Sequence, residues 1–108
     1  MSDRPAMPQG LECYRSIGPF TPDNLPAGLL REHRLAAGVW GRLRVTRGKV
    51  SFCWDDGGRA RVDLSSGDEL AVPPQRPHHL VLDEAADLLL EIAFHKAPET
   101  KAPVRLRE

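Results

Sequence analysis

Histidines in two separate segments of this 108-residue sequence could together form a metal site. His33 ends the segment that begins at Leu29, and the adjacent pair of His78 and His79 follows a proline-rich run. Neutral imidazole is the commonest protein ligand for metals. Three or four donors must converge at roughly 2.0 to 2.2 Å from the ion. The candidate donors are His33, His78, Glu91, His95, Glu32 and His79.

The alternation of apolar and polar residues narrows this donor set. Successive side chains of a strand point to opposite faces, so Glu91 and His95 share one face of the last predicted strand. Adjacent His78 and His79 point to opposite faces, so at most one of them enters a cavity. From the residues alone, a metal pocket and ordinary surface or hydrogen-bonded histidines both remain open.

Short alternating segments separated by turn residues predict an all-β framework. Predicted strands cover residues 29–33, 39–46, 50–54, 60–64, 69–72, 78–82 and 88–95. Prolines predict an irregular connection over residues 18–28. Asp55 and Asp56 precede two glycines, which predicts a hairpin loop and not a catalytic carboxylate pair. No window shows sustained helical periodicity, so we expect a sandwich or a barrel.

A second candidate site lies on the predicted strand over residues 39–46. Trp40, Arg42 and Arg44 share one parity and could stack on or grip an anionic ligand, because guanidinium groups form planar forks to carboxylates and oxyanions. The alternative is that these side chains form a solvated exterior of the barrel.

Composition excludes several classes of function. The sequence contains 15 basic and 15 acidic residues, which gives no net charge to attract nucleic acid or an anionic membrane. No signal peptide or membrane span is apparent, so we expect a cytoplasmic protein. Cys13 and Cys53 form no Cys-x-x-Cys motif and are interpreted as reduced, structural thiols. No phosphate-binding loop or nucleophile elbow is recognisable.

The domain organisation follows from the positions of prolines and charges. Residues 1–10 are predicted to be a flexible N-terminal segment, residues 11–97 a single β-barrel domain, and residues 98–108 a C-terminal tail. A chain of this length has room for one hydrophobic core.

Several ordered segments resemble the TehB/YeaR-like small cupin family, which is associated with tellurite resistance. The resemblance covers roughly residues 14–98. The matching segments are Asp23 to Pro26, Glu32-His33, Gly38 to Val45, Gly48 to Phe52, Pro74 to His78 and Ile92 to His95.

The resemblance implies a cupin fold, a double-stranded antiparallel β-barrel (jelly roll) with a cavity lined by histidines. Carried over by position, it favours His33 and His78 as metal ligands. The sequence departs from the family pattern after His33, where Arg34 to Ala37 replace a polar stretch, and at Val81, where relatives often carry a glutamate. His95 stands where relatives often have an aromatic residue. These departures leave the third and fourth ligands open.

The resulting hypothesis is a small cupin that binds one divalent transition metal, namely zinc, nickel, iron or manganese, and a small oxyanion or oxygenated ligand. One alternative is a metal-dependent enzyme such as a dioxygenase or isomerase, with Glu91 as acid or base. Another is a metal-free module for ligand sensing or interaction. A homodimer is possible, because a small barrel leaves edges that a partner can cover.

Overall fold

Alternating burial along each strand builds two antiparallel sheets in this computed structural model, which describes residues 3–57, 60–82 and 87–98. The sheets have the strand orders β1-β7-β2-β5 and β4-β3-β6. Most of the predicted C-terminal tail lies outside the described residues. The strands are β1 (Glu12–Phe20), β2 (Trp40–Arg47), β3 (Lys49–Trp54), β4 (Arg61–Ser65), β5 (Glu69–Val72), β6 (His78–Val81) and β7 (Leu89–Lys96).

The core lies between the two sheets and draws side chains from six of these strands. Phe52 and Trp54 of β3 are almost fully buried, and they face Leu43 and Leu90 of the larger sheet across a continuous cluster. Burial of apolar area of this kind is the main favourable contribution to folding. The remaining buried apolar residues are Leu25, Val45, Val50, Val62, Leu64, Leu70, Val72, Leu80 and Leu88.

The all-β prediction is confirmed, but the two described sheets do not close into a barrel, and the predicted double-stranded jelly roll is not confirmed. Among the described residues, no strand ladder joins the two sheets, and only an isolated bridge between His33 and His78 lies outside the named strands. Consecutive strands β2 and β3 belong to different sheets, because the chain turns sharply at Gly48 instead of forming a hairpin. The architecture is therefore a single small domain made of an open pair of sheets.

The segment before His33 also differs from its prediction. Residues 18–20, expected in an irregular connection, belong to the end of β1. Ala27–Leu30 form a 3-10 turn instead of a strand, because the Leu29 amide donates to the Pro26 carbonyl. No helix in the described part of the chain is long and apolar enough to cross a membrane.

At Gly48 the neighbouring backbone leaves too little room for a Cβ atom. Its φ is +76°, and a Cβ atom there would lie 2.8 Å from the Leu88 Cα. Gly67 has a φ of +91°, but a Cβ atom there would meet nothing within 4 Å. An alanine at Gly67 would therefore meet only the strain of a left-handed backbone, whereas an alanine at Gly48 would meet that strain and a steric clash.

We expect Gly48→Ala to lower the free energy of unfolding by about 1–3 kcal/mol more than Gly67→Ala does, because only Gly48 adds overpacking to the left-handed backbone strain. Urea denaturation of both variants measures this difference. Equal losses in the two variants would show that the close approach of Leu88 to Gly48 does not constrain the fold.

Candidate functional site

His33 and His78 meet at one end of the core, although 45 positions separate their numbers. Their backbones form an antiparallel bridge in which the His33 amide donates to the His78 carbonyl at 3.0 Å and the His78 amide donates back at 2.9 Å. Their ring centroids lie 4.3 Å apart in an edge-to-face arrangement. The structure thus brings together the two histidines that the family resemblance singled out.

Each ring is oriented by a carbonyl oxygen two residues earlier in the chain. The His33 Nδ1 lies 2.9 Å from the Arg31 carbonyl oxygen, and the His78 Nδ1 lies 2.8 Å from that of Arg76. A carbonyl oxygen only accepts, so Nδ1 carries the proton in each hydrogen bond. In the neutral ring, Nε2 then bears a lone pair. Neither Nε2 has a hydrogen-bond partner among the described residues.

The two rings line a small cavity between the sheets. Its volume is about 70 Å³, and the rest of its wall is apolar. An engineered apolar cavity that binds benzene measures roughly 150 Å³, so this space matches a molecule of a few heavy atoms. The wall is formed by Leu29, His33, Leu35, Gly41, Leu43, Phe52, Val72, His78, Leu80, Ile92 and Phe94.

His78 is kept uncharged by its surroundings. The residue is only 4% exposed, and its ring stacks on Phe52 at 5.0 Å between centroids and lies edge-on to Trp54. Burial lowers the pKa of His78 to about 4, with a smaller contribution from the neighbouring His33. At neutral pH the His78 Nε2 is therefore a hydrogen-bond acceptor.

A buried arginine holds the segment that leads into β6. The Arg76 Nε donates to the Asp56 carboxylate at 2.7 Å, and the guanidinium lies 3.7 Å from the centroid of the Trp54 ring. The hydrogen bond from Arg76 also lowers the pKa of Asp56. From the sequence, Asp56 was predicted only as a turn residue, and Arg76 was not among the candidate site residues. The available signal was an arginine within the proline-rich run before His78.

The other predicted donors do not reach the cavity. Exposed Glu32 lies 3.5 Å from Arg34 in a surface ion pair. His79 points to the opposite face of its sheet and contacts Asp55. Glu91 and His95 share a face, but it is the face away from the cavity, because Ile92 and Phe94 of the same strand line the cavity. No group of three or more His, Cys, Asp or Glu residues among those described could hold a metal ion.

The predicted ligand-binding face of β2 also points away from the core. Gly41 and Leu43 line the cavity, so Trp40, Arg42 and Arg44 lie on the outer side of the sheet. Both arginines contact Glu69, Arg42 at 3.1 Å and Arg44 at 3.8 Å. Arg42 also donates to the Met7 sulfur. The two arginines that were predicted to bind an anionic ligand therefore already contact a carboxylate, and Arg42 also contacts a sulfur atom, of the same chain.

Comparisons with known proteins place the fold in context. Residues 15–90 match the model of a family described as "TehB-like domain". A crystal structure of TehB from Haemophilus influenzae superposes with a TM-score of 0.73 at 27% identity, covering 84% of this chain and 33% of that chain. A structural-genomics crystal structure of an Escherichia coli K12 protein has a TM-score of 0.77 at 24% identity and covers 87% and 98% of the two chains.

A curated relative extends this comparison. "Probable S-adenosyl-L-methionine-dependent methyltransferase TehB" of Haemophilus influenzae Rd is 39% identical over 46 residues, which are 43% of this chain and 16% of the relative. The same protein in strain 10810 is 37% identical over 46 residues. This chain therefore spans a small part of the curated relatives it matches.

These findings overturn two predictions from the sequence. A metal-binding cupin was expected, with a divalent transition metal as its cofactor. The curated relatives are instead named for S-adenosyl-L-methionine and methyl transfer. The described residues also lack a third donor beside the two imidazoles, because strand alternation sends Glu91, His95 and His79 to other faces. Both metal predictions are wrong.

The lowered pKa of His78 predicts a stability that depends on pH. Its folded-state pKa of about 4 lies below the ordinary value of 6.5. Between those values the unfolded chain binds more protons than the folded chain, so stability decreases as the pH falls through that range. This difference is equivalent to at most about 3 kcal/mol.

We expect the free energy of unfolding of the parent protein to fall more steeply from pH 7 to pH 4.5 than that of His78→Gln, which has no imidazole at this position. Urea denaturation at several pH values measures both slopes. Parallel pH dependences in the two proteins would contradict the assignment of a neutral, buried His78.

Proposed function

Because this chain belongs to the TehB-like domain family, whose curated relatives are named for a small-molecule cofactor, we propose that it is a binding module for a small molecule. Its ligand occupies the cavity between the sheets. The ligand is mostly apolar and carries one donor group, a hydroxyl or an amine, which donates a hydrogen bond to the Nε2 of His33 or of His78.

The observation that carries this proposal is the orientation of the two rings. Both Nδ1 atoms are occupied by backbone carbonyl oxygens, so the neutral rings present acceptors at Nε2. A ligand that brings a proton to these atoms gains hydrogen bonds in a space with little competition from water. The oxyanion expected from the sequence would instead meet two lone pairs, and the low pKa of His78 opposes the protonation that would accommodate it.

S-adenosyl-L-methionine does not fit this cavity. A drug-sized or cofactor-sized ligand requires a pocket of roughly 300–1,000 Å³, whereas this cavity has about 70 Å³. Its wall contains no carboxylate for the ribose hydroxyls or for the sulfonium charge, because its polar side chains are His33 and His78 alone. We therefore derive no methyl-transfer step for this chain.

The named activity of the relatives concerns much longer proteins. This chain spans 33% of the TehB crystal structure chain and 16% of the curated relatives in the matched segment. Methyl transfer in those proteins is compatible with a separate role for the part that resembles this chain.

The cupin assignment, a homodimer, a cytoplasmic location and a part in tellurite resistance stay predictions.

A matched pair of small molecules tests the ligand class. We expect propan-2-ol to bind the cavity in the millimolar range and propan-2-one to bind at least about fivefold more weakly, because the ketone has no proton to donate and the loss of one hydrogen bond is equivalent to about 1 kcal/mol. Titrations followed by amide NMR shifts of residues that line the cavity, such as Phe52 and Leu80, measure both affinities.

His33→Phe keeps an aromatic ring at the cavity but removes one acceptor, so it should reduce the preference for the alcohol. His95→Phe makes the same substitution on the outer face and should leave the preference unchanged. Equal binding of alcohol and ketone to the parent, or no saturable shift for either compound, would overturn the proposal.

A further inference from the structure

A cysteine and a histidine stand side by side on the outer face of the three-stranded sheet, away from the cavity. Cys53 of β3 and His79 of β6 are direct partners in the strand register. Directly opposed residues of an antiparallel pair have Cβ atoms about 4.5–5.5 Å apart and share a face. That face is the outer one, because Phe52 and Trp54, which flank Cys53, are buried in the core.

The imidazole of His79 is oriented by a carboxylate. Its Nδ1 lies 2.7 Å from the Asp55 Oδ2, and the two side chains are 27% and 20% exposed. The carboxylate accepts the Nδ1 proton, so the neutral ring presents a lone pair at Nε2. An imidazole held in this way by a carboxylate is the arrangement that activates nucleophiles in hydrolases of several folds.

Among the described residues, β4 contributes further charged groups to this sheet. Arg61 is the register partner of Cys53 on the other side, and its guanidinium donates to the Ser51 hydroxyl at 2.8 Å and to the Asp63 carboxylate at 3.0 Å. The hydrogen bond from Arg61 lowers the pKa of Asp63. A surface depression of about 390 Å³, lined in part by Arg61 and Ser51, lies on this sheet.

We propose that Cys53 is a thiol-modification site for small, uncharged, soft electrophiles, with His79 as the base and Asp55 as the residue that positions it. The Cys53 sulfur forms a bond to the electrophilic carbon while the bond from that carbon to its leaving group breaks. The leaving group departs with the electron pair, and the thiol proton passes to the His79 Nε2 and then to solvent. Cys53 is half-buried and accessible to a small reagent.

Iodoacetamide is a suitable probe, because its reaction forms a sulfur–carbon bond and releases iodide. In a Cys13→Ser background, the rate of alkylation at Cys53 is measured by mass spectrometry from pH 5.5 to 9. We expect His79→Gln and Asp55→Asn to slow the reaction at pH 7 by about tenfold or more. We also expect the pH profile of the parent to rise at a lower pH than that of His79→Gln.

The other cysteine of the chain provides a matched control. Cys13 lies opposite His95 in the register of β1 and β7, but its Sγ lies 3.6 Å from the Arg15 carbonyl oxygen and 3.7 Å from the Ser16 hydroxyl, so the contacts found for this sulfur do not include the imidazole. In a Cys53→Ser background, His95→Gln should therefore change the rate at Cys13 by less than about twofold. Circular dichroism and melting temperatures establish that each variant is folded.

Equal rates and identical pH profiles for the parent, His79→Gln and Asp55→Asn, with all three folded, would overturn the proposal and leave His79 and Asp55 with a structural role. A loss of folding in Asp55→Asn alone does not prevent the test, because His79→Gln retains a side chain that can hydrogen-bond to the carboxylate. These rates do not depend on the cavity, so the ligand proposal and the thiol proposal are tested separately.

Discussion

The backbone bridge between His33 and His78 is the constraint on which the cavity depends. Two hydrogen bonds, of 3.0 and 2.9 Å, fasten an irregular segment of the chain to the first residue of β6. A third bond, from the Gln75 amide to the Leu35 carbonyl, extends the attachment. Without these bonds, His33 would lie on a loop and His78 on a strand, and nothing would fix the distance between their rings. With them, both rings and Leu35 line one end of the core.

Strands β2 to β7 were predicted from the sequence, because their alternation reflects burial on one face. Strand β1 was not predicted, because most of its residues are exposed on both faces, and the strand predicted over residues 29–33 begins as a 3-10 turn. The same alternation did not indicate which face of β7 is buried. Leu88, Leu89 and Leu90 are apolar at both parities, so Glu91 and His95 were correctly assigned to one face but could not be assigned to the side away from the cavity. The sharp corner at Gly48 was equally ambiguous, since a glycine with positive φ serves hairpins and sheet corners alike.

The candidate site was predictable only in part. The prediction that His33 and His78 lie close together came from the resemblance to a family. Their spacing in the sequence could not have predicted it, because an isolated bridge leaves no periodic pattern. The anchoring of the site by Arg76 was not predictable from composition, since a buried arginine requires its partners, Asp56 and the Trp54 ring, to be placed by the fold. Long-range pairs of this kind are visible only when tertiary structure is known.

The adjacent residues His78 and His79 show how a strand gives one residue type two different chemistries. The inner ring, that of His78, is shielded from water, and this burial lowers its pKa to about 4. Its Nε2 therefore remains a hydrogen-bond acceptor for a ligand that carries a donor. The outer ring stays partly in solvent, and its Nδ1 lies 2.7 Å from the Asp55 carboxylate. Because successive side chains of β6 lie on opposite sides of the sheet, the two rings have different surroundings. They remain electrostatically coupled, since His79 lowers and Asp55 raises the pKa of His78, although burial is the largest cause of its shift.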